Sequence, residues 1–217
     1  MQAFGGTLNP GLAPYPKNEF ANPSVLGLNA FSLPTFLLGL YNVHANNVQI
    51  PNVIVGLAFF VGGIGQTLCG VWEFVIGNTF GATTMCSYGA FWLSYGAIQT
   101  PAFGILEAYA AAPEQATTAI GFYLLGWTLL TFMFWLLVLK STYVFVGLFT
   151  TLLIGFSLTT AAYLTENMYL GKVGGGFFIV CSFCGWYLAW SGVATKQNSY
   201  LTYYHFLLPQ PKPKMMH

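Results

Sequence analysis

Six long stretches of this sequence run almost without a charged side chain: roughly Leu26–Val43, Val53–Ile76, Phe80–Ile98, Thr118–Leu139, Thr142–Leu164 and Gly174–Ala194. A membrane helix needs about 20 mostly apolar residues to cross ~30 Å of hydrocarbon. The first run contains Pro34, which such a helix tolerates when neighbours satisfy the freed carbonyl. The second contains Glu73. Barrel strands would alternate polar and apolar positions, and runs such as Phe122–Leu139 do not. Six Lys and five Glu, with neither Arg nor Asp, make up 5 % of the 217 residues, against 56 % hydrophobic and 18 % aromatic. A soluble chain is about a quarter charged, a nucleic-acid binder needs a basic face, and a disordered chain is poor in apolar residues. The expectation is an all-α integral membrane protein with six transmembrane helices.

The expected organisation is an N-terminal arm at residues 1–21, a membrane domain at 22–194 and a C-terminal tail at 195–217. The longest connection is Gln99–Thr117, with Pro101, Glu107, Pro113 and Glu114. With six spans both termini share one side. That side collects Lys17, Lys140, Lys196, Lys212 and Lys214, whereas the other holds Lys172 with Glu107, Glu114 and Glu166. The lysine bias predicts both termini in the cytoplasm. No basic n-region with a small-residue cleavage site precedes the first span, so no removable signal peptide is expected.

Cysteine and histidine give no catalytic pattern. Cys181 and Cys184 form a C-x-x-C inside the sixth span and read as packing; Cys69 and Cys86 also fall within spans. His44 sits at a span end, His205 and His217 in the tail. Neither H-E-x-x-H nor G-x-S-x-G occurs, so neither an enzyme, a metal site nor a cofactor is expected.

The second span places Gly62, Gln66, Gly70 and Glu73 within an arc of about 80° at 100° per residue. One face is therefore small and polar. The fifth span carries a four-residue ladder of Gly147, Thr151, Gly155 and Thr159. Such ladders let helix backbones approach closely, and packing alone accounts for them. A carboxylate within a span is costly and usually faces the bundle interior, and no cation lies within a span to pair with Glu73. Its alternatives are an interfacial anchor, a structural hydrogen-bonding group and a proton carrier. The third span adds a stripe of Tyr88, Trp92 and Tyr95 beside Ser87 and Ser94, which reads as packing, lipid contact or a gate.

The string Asn22-Pro23-Ser24-Val25-Leu26-Gly27-Leu28 resembles the N-P-A-P-L-G-L signature of the acetate uptake transporter family, also called the succinate–acetate permease family. Gly62-Gly63-Ile64-Gly65-Gln66, Gly77-Asn78-Thr79-Phe80-Gly81 and Ser87-Tyr88-Gly89-Ala90-Phe91-Trp92-Leu93 agree in order and distance. The likeness extends from Asn22 to about Ala194, with a fungal character from Trp72 to Ile98. Ser24 for Ala and Val25 for Pro are departures. The resemblance implies six transmembrane helices around a central pore in each protomer, a homo-hexamer in the plasma membrane, and uptake of acetate and related short carboxylates with protons. It also implies an apolar constriction of Phe31, Tyr88 and Leu152. The substrate pathway is expected to involve Asn22, Pro23, Leu26, Gly27, Gln66, Glu73, Asn78, Thr79, Ser87 and Thr151.

Asn22 followed by Pro23 is the expected cap and first-turn pair of a helix. A helix N-terminus offers unpaired N–H groups that suit a carboxylate. A path without Arg or buried Lys suits a weakly bound carboxylate handled by hydroxyls and amides, or one crossing the apolar ring as the neutral acid. The expected partners are acetate and other small carboxylates, protons and the lipid bilayer, without nucleic acid. Two alternatives stay open: an ammonium or small-neutral-solute channel or exporter, and a membrane scaffold that moves nothing.

Overall fold

The computed structural model of the chain describes residues 20–201. Lys17, Lys212, Lys214, His205, His217 and most of both expected terminal segments lie outside the described residues. Within that range the chain forms six long helical columns. The first, α1, is Ser24–Asn42, with Pro34 inside it. The second, α2, joins Ile54–Gly56, a π-helical run Leu57–Gly65, and Gln66–Val75. The others are α3 (Thr79–Gln99), α4 (Pro113–Val138), α5 (Tyr143–Thr165) and α6 (Met168–Val193).

These columns match the six apolar runs, with two displaced starts. Helices α4 and α6 begin at Pro113 and Met168 rather than at Thr118 and Gly174. The reason is that capping, not hydropathy, sets a helix start. Pro113 has a preset φ and needs no N–H partner in the first turn, and Glu114 follows it there. The Asn167 side chain accepts the Tyr169 N–H at 3.0 Å. By length and composition, five columns are able to cross a membrane. The remaining one, α3, has 21 residues and is diluted by Gly, Ser and Thr. The π-helical run in α2 has no counterpart in the sequence expectation, which assumed 100° per residue throughout. Its wider turn still leaves Gly62, Gln66, Gly70 and Glu73 all buried.

Helix α1 packs chiefly on α6, α6 on α5, and α5 on α4, while α2 lies along α3. Backbones touch where α1 crosses α6: a Cβ on Gly39 would come within 2.8 Å of the Gly175 carbonyl oxygen. The α5 ladder is likewise a seam with α6. Gly155 leaves room for the Phe178 ring, and Thr159 lies against Gly174. The core between the columns is aromatic, with Phe31, Tyr88, Phe91, Phe149, Phe156 and Phe178 in one buried cluster. Outward faces carry Phe60, Leu68, Phe122, Met133 and Leu137, all exposed. An apolar exterior over backbone that satisfies its own hydrogen bonds is what a hydrocarbon solvent demands.

Candidate functional site: a constricted path between the helices

Three helix ends meet around Glu73. Pro23 has helical dihedrals (φ −72°, ψ −25°), so it takes the first helical position of α1. Asn22 Oδ1 accepts the Ser24 N–H at 3.0 Å, the cap-and-proline start expected from the sequence. At the end of α2, Glu73 is fully buried. Its Oε1 accepts the Ser24 hydroxyl, and its Oε2 accepts Asn78 Nδ2 at 2.7 Å. Asn78 also caps α3, its Oδ1 accepting the Gly81 N–H at 3.0 Å. A carboxylate with a donor on each oxygen therefore ties α1, α2 and α3 together without a cation. Ser24 stands where the family signature has Ala, and its hydroxyl makes a contact that Ala lacks. The other departure, Val25, packs against Gly192 of α6.

Deeper in the bundle, the rings of Phe31 and Tyr88 lie 5.8 Å apart at 52°. The Tyr88 hydroxyl pairs with Thr131 of α4 at 3.0 Å. Leu152 of α5 is fully buried beside them. These three side chains are shared by the linings of two small cavities. One, of 30 Å³, also has Leu28, Gln66, Thr84 and Met85 on its walls. The other, of 10 Å³, has Thr35, Leu38, Phe91 and Trp92. A cavity of this second size holds about one water. Leu38 also lines a vestibule of 620 Å³ at the far ends of α1 and α3, together with Asn42, His44, Gln99, Glu114 and Glu166. Vestibule, upper cavity, ring and lower cavity thus follow one another along the bundle.

The expected pathway residues divide into two groups. Gln66 is on the wall of the lower cavity, and Gly27 is buried against Cys69 and Met85. Asn22, Pro23, Glu73 and Asn78 form the cluster at the helix ends. By contrast, Leu26 is 54 % exposed, and Thr79 is exposed with its carbonyl accepting the Thr83 hydroxyl. Ser87 is half-buried. The Thr151 hydroxyl is spent on its own helix, at 2.8 Å from the Gly147 carbonyl and 3.0 Å from that of Leu148. Of the ten expected pathway residues only Gln66 lines one of these three cavities; Asn22, Pro23, Leu26, Gly27, Glu73, Asn78, Thr79, Ser87 and Thr151 line none of them. Sequence reasoning missed Leu28, Thr35 and Thr84. Helical spacing was the available signal, since Leu28 and Thr35 stand three and four residues from Phe31, and Thr84 four from Tyr88. Cys181 and Cys184 are free thiols, and the Cys181 thiol donates to the Leu148 carbonyl at 3.4 Å. Among the described residues no cluster of His, Cys, Asp or Glu is disposed to hold a metal ion.

Comparison with known proteins places this geometry. The family model described as the GPR1/FUN34/yaaH family matches residues 4–210. Over 209 residues the chain is 49 % identical to Ammonia transport outward protein 2 of Saccharomyces cerevisiae, covering 96 % of this chain and 74 % of that protein. Over 220 residues it is 37 % identical to Acetate permease A of Emericella nidulans, with 96 % and 72 % covered. Among solved structures, that of the bacterial acetate channel SatP superposes with a TM-score of 0.74 at 32 % identity, covering 88 % of this chain and 99 % of that one.

Proposed function

This chain belongs to the GPR1/FUN34/yaaH family, and from that premise we propose that it carries acetate and related short-chain carboxylates across a membrane, coupled to protons. The observation that carries the reading is the ring of Phe31, Tyr88 and Leu152 shared by two cavities inside one six-helix protomer. A passage this narrow and apolar admits a small acid and excludes large or doubly charged ones, because desolvating charge there is costly. The chain has no Arg and the Lys among the described residues are exposed, which keeps binding weak, as passage requires. The names of an acetate permease and an acetate channel among its relatives support the same substrate class. We further assign the protein to the plasma membrane as a homo-hexamer with both termini cytoplasmic.

Labelled acetate flux into vesicles holding the purified chain tests this. Flux above that of protein-free vesicles, accelerated by a proton gradient and reduced by unlabelled short carboxylates, is the expected result. No such flux would overturn the assignment. A relative's name in ammonia transport supports a second reading, ammonium export. It predicts ammonium movement that carboxylates do not compete with.

A further inference from the structure

Gln66 lies on the wall of the lower cavity and is 1 % exposed. Its Nε2 points a hydrogen at the Met85 sulfur 3.6 Å away, while its Oε1 accepts no hydrogen bond. The reverse orientation would set oxygen lone pairs against thioether lone pairs, so the amide is held this way round. A buried amide with an unpartnered oxygen and a second N–H beside it presents an acceptor and a donor in one plane. That pair is the complement of a neutral carboxylic acid, whose O–H donates while its C=O accepts. An ionised carboxylate has no proton to give and would face Oε1 with a like dipole.

The rest of the wall agrees. Thr84 spends its proton on the Phe80 carbonyl at 2.8 Å, so it offers the cavity lone pairs only. Tyr88 is the one titratable side chain among the lining residues, and its hydroxyl is engaged with Thr131. No cation compensates an anion here. The volume of 30 Å³ has room for about two waters, the scale of a one- or two-carbon acid. Resting on the transport reading above, we propose that the species passing the Phe31–Tyr88–Leu152 ring is the uncharged acid, held on Gln66 by a two-point contact. The proton travels on the substrate, picked up from water on one side and released to water on the other. Coupling of one proton to one acid then follows without any protein group titrating.

Analogues of fixed charge decide the matter. Acetamide is neutral at every working pH and carries both donor and acceptor, whereas methanesulfonate matches acetate in shape and stays ionised. In vesicles near pH 6, where a carboxylic acid is only partly neutral, acetamide should inhibit labelled acetate flux and methanesulfonate should not. An imposed membrane potential should leave the flux unchanged. Gln66→Leu should lower flux about tenfold, the loss expected of a buried hydrogen-bonding partner, and abolish inhibition by acetamide at equal folded protein. If that variant fails to fold, the wild-type analogue comparison decides alone. Inhibition by methanesulfonate equal to that by acetamide, or flux that follows the potential, overturns the neutral-acid inference and leaves acetate transport standing. Absence of any protein-dependent acetate flux overturns both.

Discussion

The indole of Trp92 occupies the space that Gly62 leaves open: a Cβ at Gly62 would come within 2.4 Å of Trp92 Cγ. This contact joins the π-helical part of α2 to α3 beside the upper cavity, on whose wall Trp92 stands. Trp92 is 2 % exposed and packs edge-on against Phe91. Gly62→Ala should therefore destabilise the protomer by about 1–3 kcal/mol through overpacking. Thermal unfolding in detergent checks this, and an unshifted midpoint would show that α2 and α3 slide apart freely.

The three ring residues should differ in their effect on selectivity. Phe31→Ala and Tyr88→Ala remove large rings and should raise succinate flux relative to acetate, with Leu152→Ala changing the ratio least. Pure packing would instead cost about 2–5 kcal/mol of stability for each and leave the ratio untouched. The measurement is the succinate-to-acetate ratio per folded protein. If neither ring deletion moves it, these side chains are core and not a filter.

Asn22→Ala removes the acceptor for the Ser24 N–H. Such a cap contributes ~1 kcal/mol, too little to unfold six packed helices. Transport should fall more than the amount of folded protein at the membrane. Normal transport at equal abundance would reduce Asn22 to a cap.

Glu73 offers a test of shape against apolarity. In Glu73→Gln the amide oxygen still accepts from Asn78, and the amide N–H₂ donates to Ser24, whose hydroxyl rotates to accept. Stability should stay within about 1 kcal/mol of the parent. In Glu73→Leu half-buried Ser24 and exposed Asn78 both lose their partner, and loss of the two hydrogen bonds should cost about 1–3 kcal/mol in total. Equal melting of the two variants would show that the cluster does not hold the helix ends.

The lysine distribution gives a topological test. Protease added to sealed cells should leave the tail at residues 209–214 intact, and cleavage should appear only after permeabilisation. Ready cleavage from outside would reverse the orientation.

Much of this protein is legible in one dimension. A run of apolar residues long enough to cross hydrocarbon is a local property, because each helix satisfies its own backbone whatever its neighbours do. The six helical columns, the buried face of Gln66 and Glu73, and the cap at Asn22 therefore follow from the sequence alone. The family resemblance, carried over by position, drew Phe31, Tyr88 and Leu152 together from three separate helices. Which polar groups meet was decided only in three dimensions. Ser24 and Glu73 stand 49 residues apart, and the pairing of Tyr88 with Thr131 joins α3 to α4. Thr151 looked available by spacing, yet its hydroxyl donates to the carbonyl one turn back, as hydroxyls within helices commonly do. The π-helical run also altered the rotation of α2 in a way that a fixed 100° step does not register. Periodicity assigns a residue to a face. The rotation and crossing of whole helices decide what that face sees, and they are set by close contacts such as Gly39 on Gly175 and Gly62 on Trp92, each made between distant parts of the chain.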